Sequence, residues 1–427
     1  MIPRELIEAV PKSDIHTHLD GSMRLSTLIE LARARNVDLP SYEVEGLKKL
    51  VFKPDYKNLE EYLRGFRYTC AVLLDAEALE RVAGELVEDS LRQGVRYMEV
   101  RFAPQLLAAS GEDCVRALKA VSDGLAEAAA RHNTSQAVAA GGDMPFEWAI
   151  ICCAMRNFRR GMSGYYDALL DVLPGMKHRD LVSIASLEAV RVAVAARDRF
   201  GVPVTGFDLA GEESGYPAGH HFAAYEEAHR HFIRKTVHAG EAYGPESIYE
   251  AIARCHAERI GHGTFLFAAD RIKNSAFADK EAFTEALADY IATMRVTIEV
   301  CPTSNLQTIP ELGGDMANHP VRRMVDYGMA VAVATDNTLV SHTDINRELA
   351  LAADACALDM AGFRRLVLAG FKGGFYPGKY SGKRAFVRRA AELFDERVAD
   401  FQKRIPGCGN KSAARGSGQK RRGNLNV

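Results

Sequence analysis

The chain has few of the features that assign a protein to a class at a glance. Its eight cysteines are scattered, with no two at Cys-x-x-Cys spacing, which excludes a zinc-finger framework and a thioredoxin-type redox pair. Cys152 and Cys153 are neighbours in an apolar segment, so reduced core thiols in a cytoplasmic protein are expected. No apolar run approaches the roughly 18 residues that span a bilayer. The N-terminal MIPRELIEAV carries charges where a secretory signal needs an unbroken apolar stretch, so none is expected. Basic and acidic residues nearly cancel, 54 against 56, for a formal net charge of -2. Neither nucleic acid nor a membrane is therefore expected as a partner. No Gly-x-Gly-x-x-Gly follows the first apolar run, which argues against a dinucleotide-binding open sheet.

What is present is a repeat of short β-type runs. Apolar residues make up 47% of the chain and charged residues 26%, the balance of a soluble globular protein with a large core. Candidate strands fall at 13–18, 96–102, 149–155, 204–209, 235–238, 259–261, 296–300 and 329–334. Between them lie charged, amphipathic stretches such as 76–92, 111–131 and 183–199, with apolar residues at helical spacing. Strands alternating with helices imply a parallel sheet, and eight of them predict a closed (β/α)8 TIM barrel, one unit over 1–405. The stretch 24–94 is too long for a simple crossover and predicts a helical cap over the barrel mouth. In it Leu59, Tyr62, Leu63 and Phe66 are spaced as one apolar helix face, which either roofs a ligand pocket or packs on the barrel. The segment 406–427 is rich in Gly, Ser and basic residues without apolar periodicity, and a disordered, solvated tail is expected.

Residues able to do chemistry gather where the strands end: His16, His18, Glu99, Arg101, Asp208, Gly211, His238, Glu241, His262, Asn305, Asp336 and Asn337. Barrel enzymes build their active sites on that face. His16 and His18, two apart in a strand, share a side and can grip one ion. Nitrogen and carboxylate ligands without a thiolate are typical of a catalytic metal with a position open to water, so a hydrolytic metalloenzyme is expected. Alone, His238 or His262 would more often be an ordinary core or surface histidine; as members of an ordered set at strand ends, both read as functional. His132, His178, His229, His231 and His256 lie away from the strand ends and read as ordinary. Cys301 reads as core, and Asp208 and Glu99 as supporting residues.

Six segments, SDIHTHLDGS at 13–22, FDLAGE at 207–212, HAGE at 238–241, RIGHG at 259–263, EVCPTSN at 299–305 and TD at 335–336, together resemble the adenosine deaminase family. Each is weak alone; their order is the family's order. The resemblance spans residue 2 to about residue 400 and implies a mononuclear zinc barrel that replaces the 6-amino group of a purine nucleoside with oxygen. By position, His16, His18, His238 and Asp336 would hold one Zn2+ per chain, with another divalent transition metal as the alternative. Glu241 would protonate the purine N1, and His262 would orient or deprotonate the attacking water. Gly211 would offer its N–H to N3, and Asp20 would hold the ribose 5′-hydroxyl. Leu59, Tyr62 and Phe66 match the family's lid. The chemistry agrees: displacing an aromatic amine needs a strong nucleophile, which a metal supplies by lowering the pKa of water from about 15.7 to near 7. A proton donor must then stand at N1, a role Glu241 suits if burial keeps it protonated.

Two absences narrow the class. No lysine ends the fourth strand, where dinuclear relatives of this barrel carry a carboxylated lysine, so one metal is expected. The His-x-Glu with Pro-Cys-x-x-Cys signature of the base-editing deaminases is missing too. One position departs from the family: most members read Thr-Asp-Asp-Pro where this chain has Thr335-Asp336-Asn337-Thr338. The resemblance places that second position at the purine N7, to which an Asn337 amide can donate directly. Adenosine and 2′-deoxyadenosine are the first expectation for substrate. A modified adenine nucleoside such as aminodeoxyfutalosine, or a same-fold amidohydrolase acting on a non-purine, stays open. A non-catalytic nucleoside binder would not need a proton donor beside a metal.

Overall fold

The computed structural model describes residues 1–275 and 277–404; the expected tail at 406–427 lies outside the described residues. Eight strands form one parallel sheet in sequence order. They are β1 (Lys12–His18), β2 (Val95–Phe102), β3 (Glu147–Met155), β4 (Val204–Ala210), β5 (Arg234–Ala239), β6 (Arg259–His262), β7 (Thr297–Val300) and β8 (Ala330–Val333). Each lies within two residues of its expected bounds. Their side chains are buried on both faces over most of their length, as parallel strands covered by helices must be.

The last gap closes at the end that carries the chemistry. His18 N–H donates to the Asp336 carbonyl at 2.8 Å, and Asp336 N–H donates to the His16 carbonyl at 2.7 Å. The Thr17–Asp336 bridge thus joins the end of β8 to β1 and completes the (β/α)8 TIM barrel. The outer helices carry ordinary terminal signals. In Gly111–Asn133 the Ser110 side chain caps Asp113 N–H, Glu112 and Asp113 sit in the first turn, and Arg131 and His132 sit in the last.

Between β1 and β2 the chain forms helices Leu25–Arg35, Val44–Leu50, Leu59–Leu63 and Phe66–Val72, then Ala76–Arg92, which packs on β2 and on Gly111–Asn133. The expected single face through Leu59 and Phe66 is thus split over two short helices. Gly65 lies between them against the Phe52 ring, where a Cβ would come within 2.9 Å of Cε1. The region is pinned to the segments after β8 and β7: Tyr56 Oη donates to the Val340 carbonyl at 2.9 Å, and Gln307 Nε2 donates to the Pro54 carbonyl at 2.7 Å. Among the described residues, no helix is long and apolar enough to cross a membrane.

Candidate active site

Four donors from three strand ends meet at the barrel mouth. His16 Nε2 lies 3.0 Å from His238 Nε2 and 3.5 Å from Asp336 Oδ1. His18 Nε2 lies 3.3 Å from His238 Nε2 and 3.4 Å from Asp336 Oδ1. Donors held about 2.0–2.1 Å from a common centre at tetrahedral angles stand about 3.4 Å apart, so this set fits a divalent transition metal. His262 competes for membership: donor atoms of His16, His238, His262 and Asp336 also lie within 4.8 Å of one another. Its Nε2, however, stands 3.7 Å from Glu241 Oε2.

The donors are held from behind. His16 Nδ1 lies 2.6 Å from Glu299 Oε2, and His238 Nδ1 lies 2.9 Å from Asp208 Oδ2. Each contact turns the Nε2 lone pair towards the centre. Ser304 Oγ donates to Asp336 Oδ2 at 2.6 Å, which aims Oδ1 at the histidines. Below them Arg101 bridges Asp208 and Glu299 at 2.7 and 2.8 Å, and Arg259 bridges Glu99 and Glu299 at 2.6 Å each. All five are buried. Burial alone would raise the Glu299 carboxyl, but Arg101 and Arg259 outweigh it and hold it well below the usual range. Glu299→Gln removes the charge that both guanidiniums share. We expect metal affinity to fall about 10- to 100-fold and the melting temperature to drop, since a broken buried pair costs about 3–5 kcal/mol. Zinc titration and thermal melts read both; unchanged zinc affinity would mean that Glu299 does not position His16.

Glu241 stands apart from this ion network. It is buried, with Thr308 Oγ1 at 3.4 Å from Oε1. Burial, reinforced by the negative charges of Asp336 and Glu213, pushes its carboxyl up to about 8. The loop that carries it is wound around Glu213, whose carboxylate accepts N–H bonds from Gly240, Glu241, Ala242 and Tyr243 at 2.7–3.0 Å. His262 is buried and held well below its usual value, chiefly by burial. Both His262 and Asp336 have left-handed backbone, with φ of 65° and 62°. Such conformations persist in non-glycine residues only where the surroundings enforce them, and they cluster at functional sites.

The remaining expected residues line one cavity of about 960 Å³ with these groups. Asp20 is buried, its Oδ2 accepting from Cys70 Sγ at 3.6 Å, while Oδ1 has no partner among the described residues. Burial raises its carboxyl to about 6. Gly211, at φ +94°, turns the chain after β4 in a conformation that side chains disfavour. Asn337 Nδ2 donates to Tyr62 Oη at 2.9 Å, and Tyr62 Oη lies 2.7 Å from Ser341 Oγ. The Asn337 amide oxygen occupies the space above Gly21, where a Cβ would sit 1.7 Å from it. Leu59 and Phe66 are half-buried on the cavity wall, and Arg64, Arg67, Arg159 and Arg160 line it as well.

The structure brings together every residue singled out from the sequence and adds some that were not. Glu299 lies inside the EVCPTSN segment, where a charge in a buried strand was the available signal. Glu213 sat beside the FDLAGE segment and Ser304 inside EVCPTSN, but no spacing marked either. His132, His178, His229, His231 and His256 do not line the cavity.

Comparison with known proteins agrees with this geometry. The family model described as adenosine deaminase matches residues 11–160 and 174–389. An adenosine deaminase of Mycolicibacterium vanbaalenii is 34% identical over 371 residues, 86% of this chain and 91% of that protein. A probable adenosine deaminase of Dictyostelium discoideum is 31% identical over 403 residues, 94% of this chain but only 45% of that longer protein. Among solved structures, a zinc-bound amidohydrolase from Burkholderia ambifaria has a TM-score of 0.71 at 18% identity, covering 94% of this chain and 95% of its own, a likeness of fold. With a family match that spans most of the barrel and the site it surrounds, the chain belongs to the adenosine deaminase family.

Proposed function

We propose that this protein hydrolyses the 6-amino group of a purine nucleoside, converting adenosine or 2′-deoxyadenosine to the 6-oxo nucleoside and ammonia. The observation that carries this reading is the geometry at the barrel mouth: Glu241, a carboxyl that burial pushes up to about 8, stands 3.7 Å from His262 and beside the cluster of His16, His18, His238 and Asp336, where it can serve as a proton donor.

One ion per chain, held by His16, His18, His238 and Asp336, would activate a water for attack on C6, and zinc suits three imidazoles and a carboxylate. Glu241 gives its proton to N1 as electrons arrive there. His262, 3.7 Å from Glu241, borders the same space and holds the attacking oxygen by a hydrogen bond. Asp336, fixed through Oδ2 by Ser304, keeps Oδ1 for the ion and the water. Asp20 takes the ribose 5′-hydroxyl on its unpartnered oxygen, and the Gly211 N–H meets N3. Leu59, Tyr62 and Phe66 cover the base and exclude bulk water. Free thiols at all seven described cysteines support a reducing compartment such as the cytoplasm.

The test is loss of the adenine absorbance band when purified, zinc-loaded protein meets a panel of purine nucleosides. The volume of about 960 Å³ and the four arginines on the wall favour a second reading, in which the preferred substrate is an adenine nucleoside with an anionic 5′ extension. The panel therefore includes adenine nucleosides extended by a carboxylate or a phosphate. No turnover of any 6-aminopurine would sink both readings.

Asn337 is the recognition residue in this scheme, with one amide N–H on Tyr62 and a second free to meet N7. Asn337→Ala should lower kcat/KM for adenosine about 5- to 150-fold, the effect of removing a donor worth about 1–3 kcal/mol. The lost Tyr62 contact falls equally on every substrate. 7-Deazaadenosine, which has C–H at that position, should therefore lose much less. Equal losses on both substrates would assign Asn337 to the lid and not to N7.

A further inference from the structure

His262 borders a chain of hydrogen bonds that leads away from the site and ends on a backbone amide. Val321 opens the helix Val321–Asp326, so its N–H has no partner within that helix. It donates to His319 Nδ1 at 3.0 Å. A nitrogen that accepts carries no proton, so the neutral His319 ring holds its single proton on Nε2. His319 is buried, and burial pushes its pKa down to about 4, which keeps it neutral at physiological pH. Its Nε2–H donates to Asn305 Oδ1 at 3.1 Å. That fixes the orientation of the amide, and Asn305 Nδ2 donates to His262 Nδ1 at 2.9 Å. Each step leaves one option, because a backbone N–H cannot reverse its role.

We infer that Asn305 and His319 are positioning residues that lock His262 in the Nε2–H tautomer, so that it faces the substrate as a hydrogen-bond donor. Two consequences follow. His262 has no lone pair to offer an ion, which leaves His18 as the fourth ligand of the set in which both competed. Nor can neutral His262 take a proton from the attacking water. It donates to that oxygen and holds it in place, and the proton must leave to a group other than His262.

The inference rests on the deaminase reading only for its kinetic arm, because the tautomer is observable without substrate. The experiment is 15N NMR of the zinc-loaded full chain labelled at histidine, with the His262 signals identified by comparison with His262→Gln. The wild type should show an unprotonated Nδ1 and a protonated Nε2. Asn305→Asp puts an acceptor opposite Nδ1, and the proton should move there. The kcat should then fall by on the order of 10²-fold with KM and zinc content nearly unchanged; an inverted histidine tautomer costs about 10⁴-fold in a serine protease. His319→Leu releases the Asn305 amide, so both tautomers should appear and kcat should fall several-fold. A protonated Nδ1 in the wild type, or an unprotonated Nδ1 in Asn305→Asp, overturns the inference. If a variant does not fold, the wild-type spectrum alone decides. A correct tautomer in a protein inactive on every purine would support the relay and overturn the proposed function, so the two failures are distinguishable.

Discussion

Glu241→Gln is expected to lower kcat by on the order of 10²-fold or more with zinc content unchanged. Glutamine keeps the size and polarity of the side chain and cannot release a proton to N1. In the proposed mechanism the active form of Glu241 is the acid, so turnover should fall as pH rises through its pKa. Burial and neighbouring negative charges push that value up to about 8; a bound cation pulls it down, so the alkaline limb begins at or below pH 8 and Gln should remove it. Stability falls with rising pH as well. A carboxyl raised above its ordinary 4.5 contributes stability that is fully present below that value and is lost as pH rises through the folded pKa. In ion-free protein, Glu241→Gln should therefore melt higher than the wild type at pH 8, with the gap closing near pH 4.5. Normal turnover in this variant would move the acid role to another residue.

Removal of the ion should abolish activity, and one equivalent of zinc per chain should restore it. The donors of His16, His18, His238 and Asp336 are already gathered at 3.0–3.5 Å, so little ordering remains for binding to supply. Binding to the folded state alone also stabilises it. At a free zinc concentration 1,000 times the Kd the gain is about 4.1 kcal/mol, so chelation should lower the melting temperature by several degrees. Elemental analysis, activity after chelation and thermal melts check the three parts. Two ions per chain, or full activity after exhaustive chelation, would overturn the mononuclear assignment.

Much of this site was legible from local pattern. The apolar runs marked eight strands because a parallel strand buried on both faces must be apolar nearly throughout. The spacing of His16 and His18 placed both on one face, because a strand has a period of two. The ends of those runs then located the mouth of the barrel, where His238, Glu241, His262, Asp336 and Asn337 all lie. The Leu59 to Phe66 pattern was read correctly as apolar but not as two helices, Leu59–Leu63 and Phe66–Val72; the packing of Gly65 between them against the Phe52 ring is a contact that local spacing does not encode.

What the residues by themselves determined, then, was the set of donors and the strand ends that carry them, because strand period and buried apolar runs are properties of neighbours in the chain. Only the tertiary structure decided how each donor is aimed and protonated. Glu299 meets His16 across 283 positions, and Tyr62 meets Asn337 across 275. The Val321–His319–Asn305–His262 relay joins β6 to two later helices. No local periodicity encodes such pairs; they exist because barrel closure brings remote strand ends within hydrogen-bonding distance. The raised carboxyl of Glu241 has the same origin, since burial and the approach of Asp336 and Glu213 arise only when the strands have closed around it.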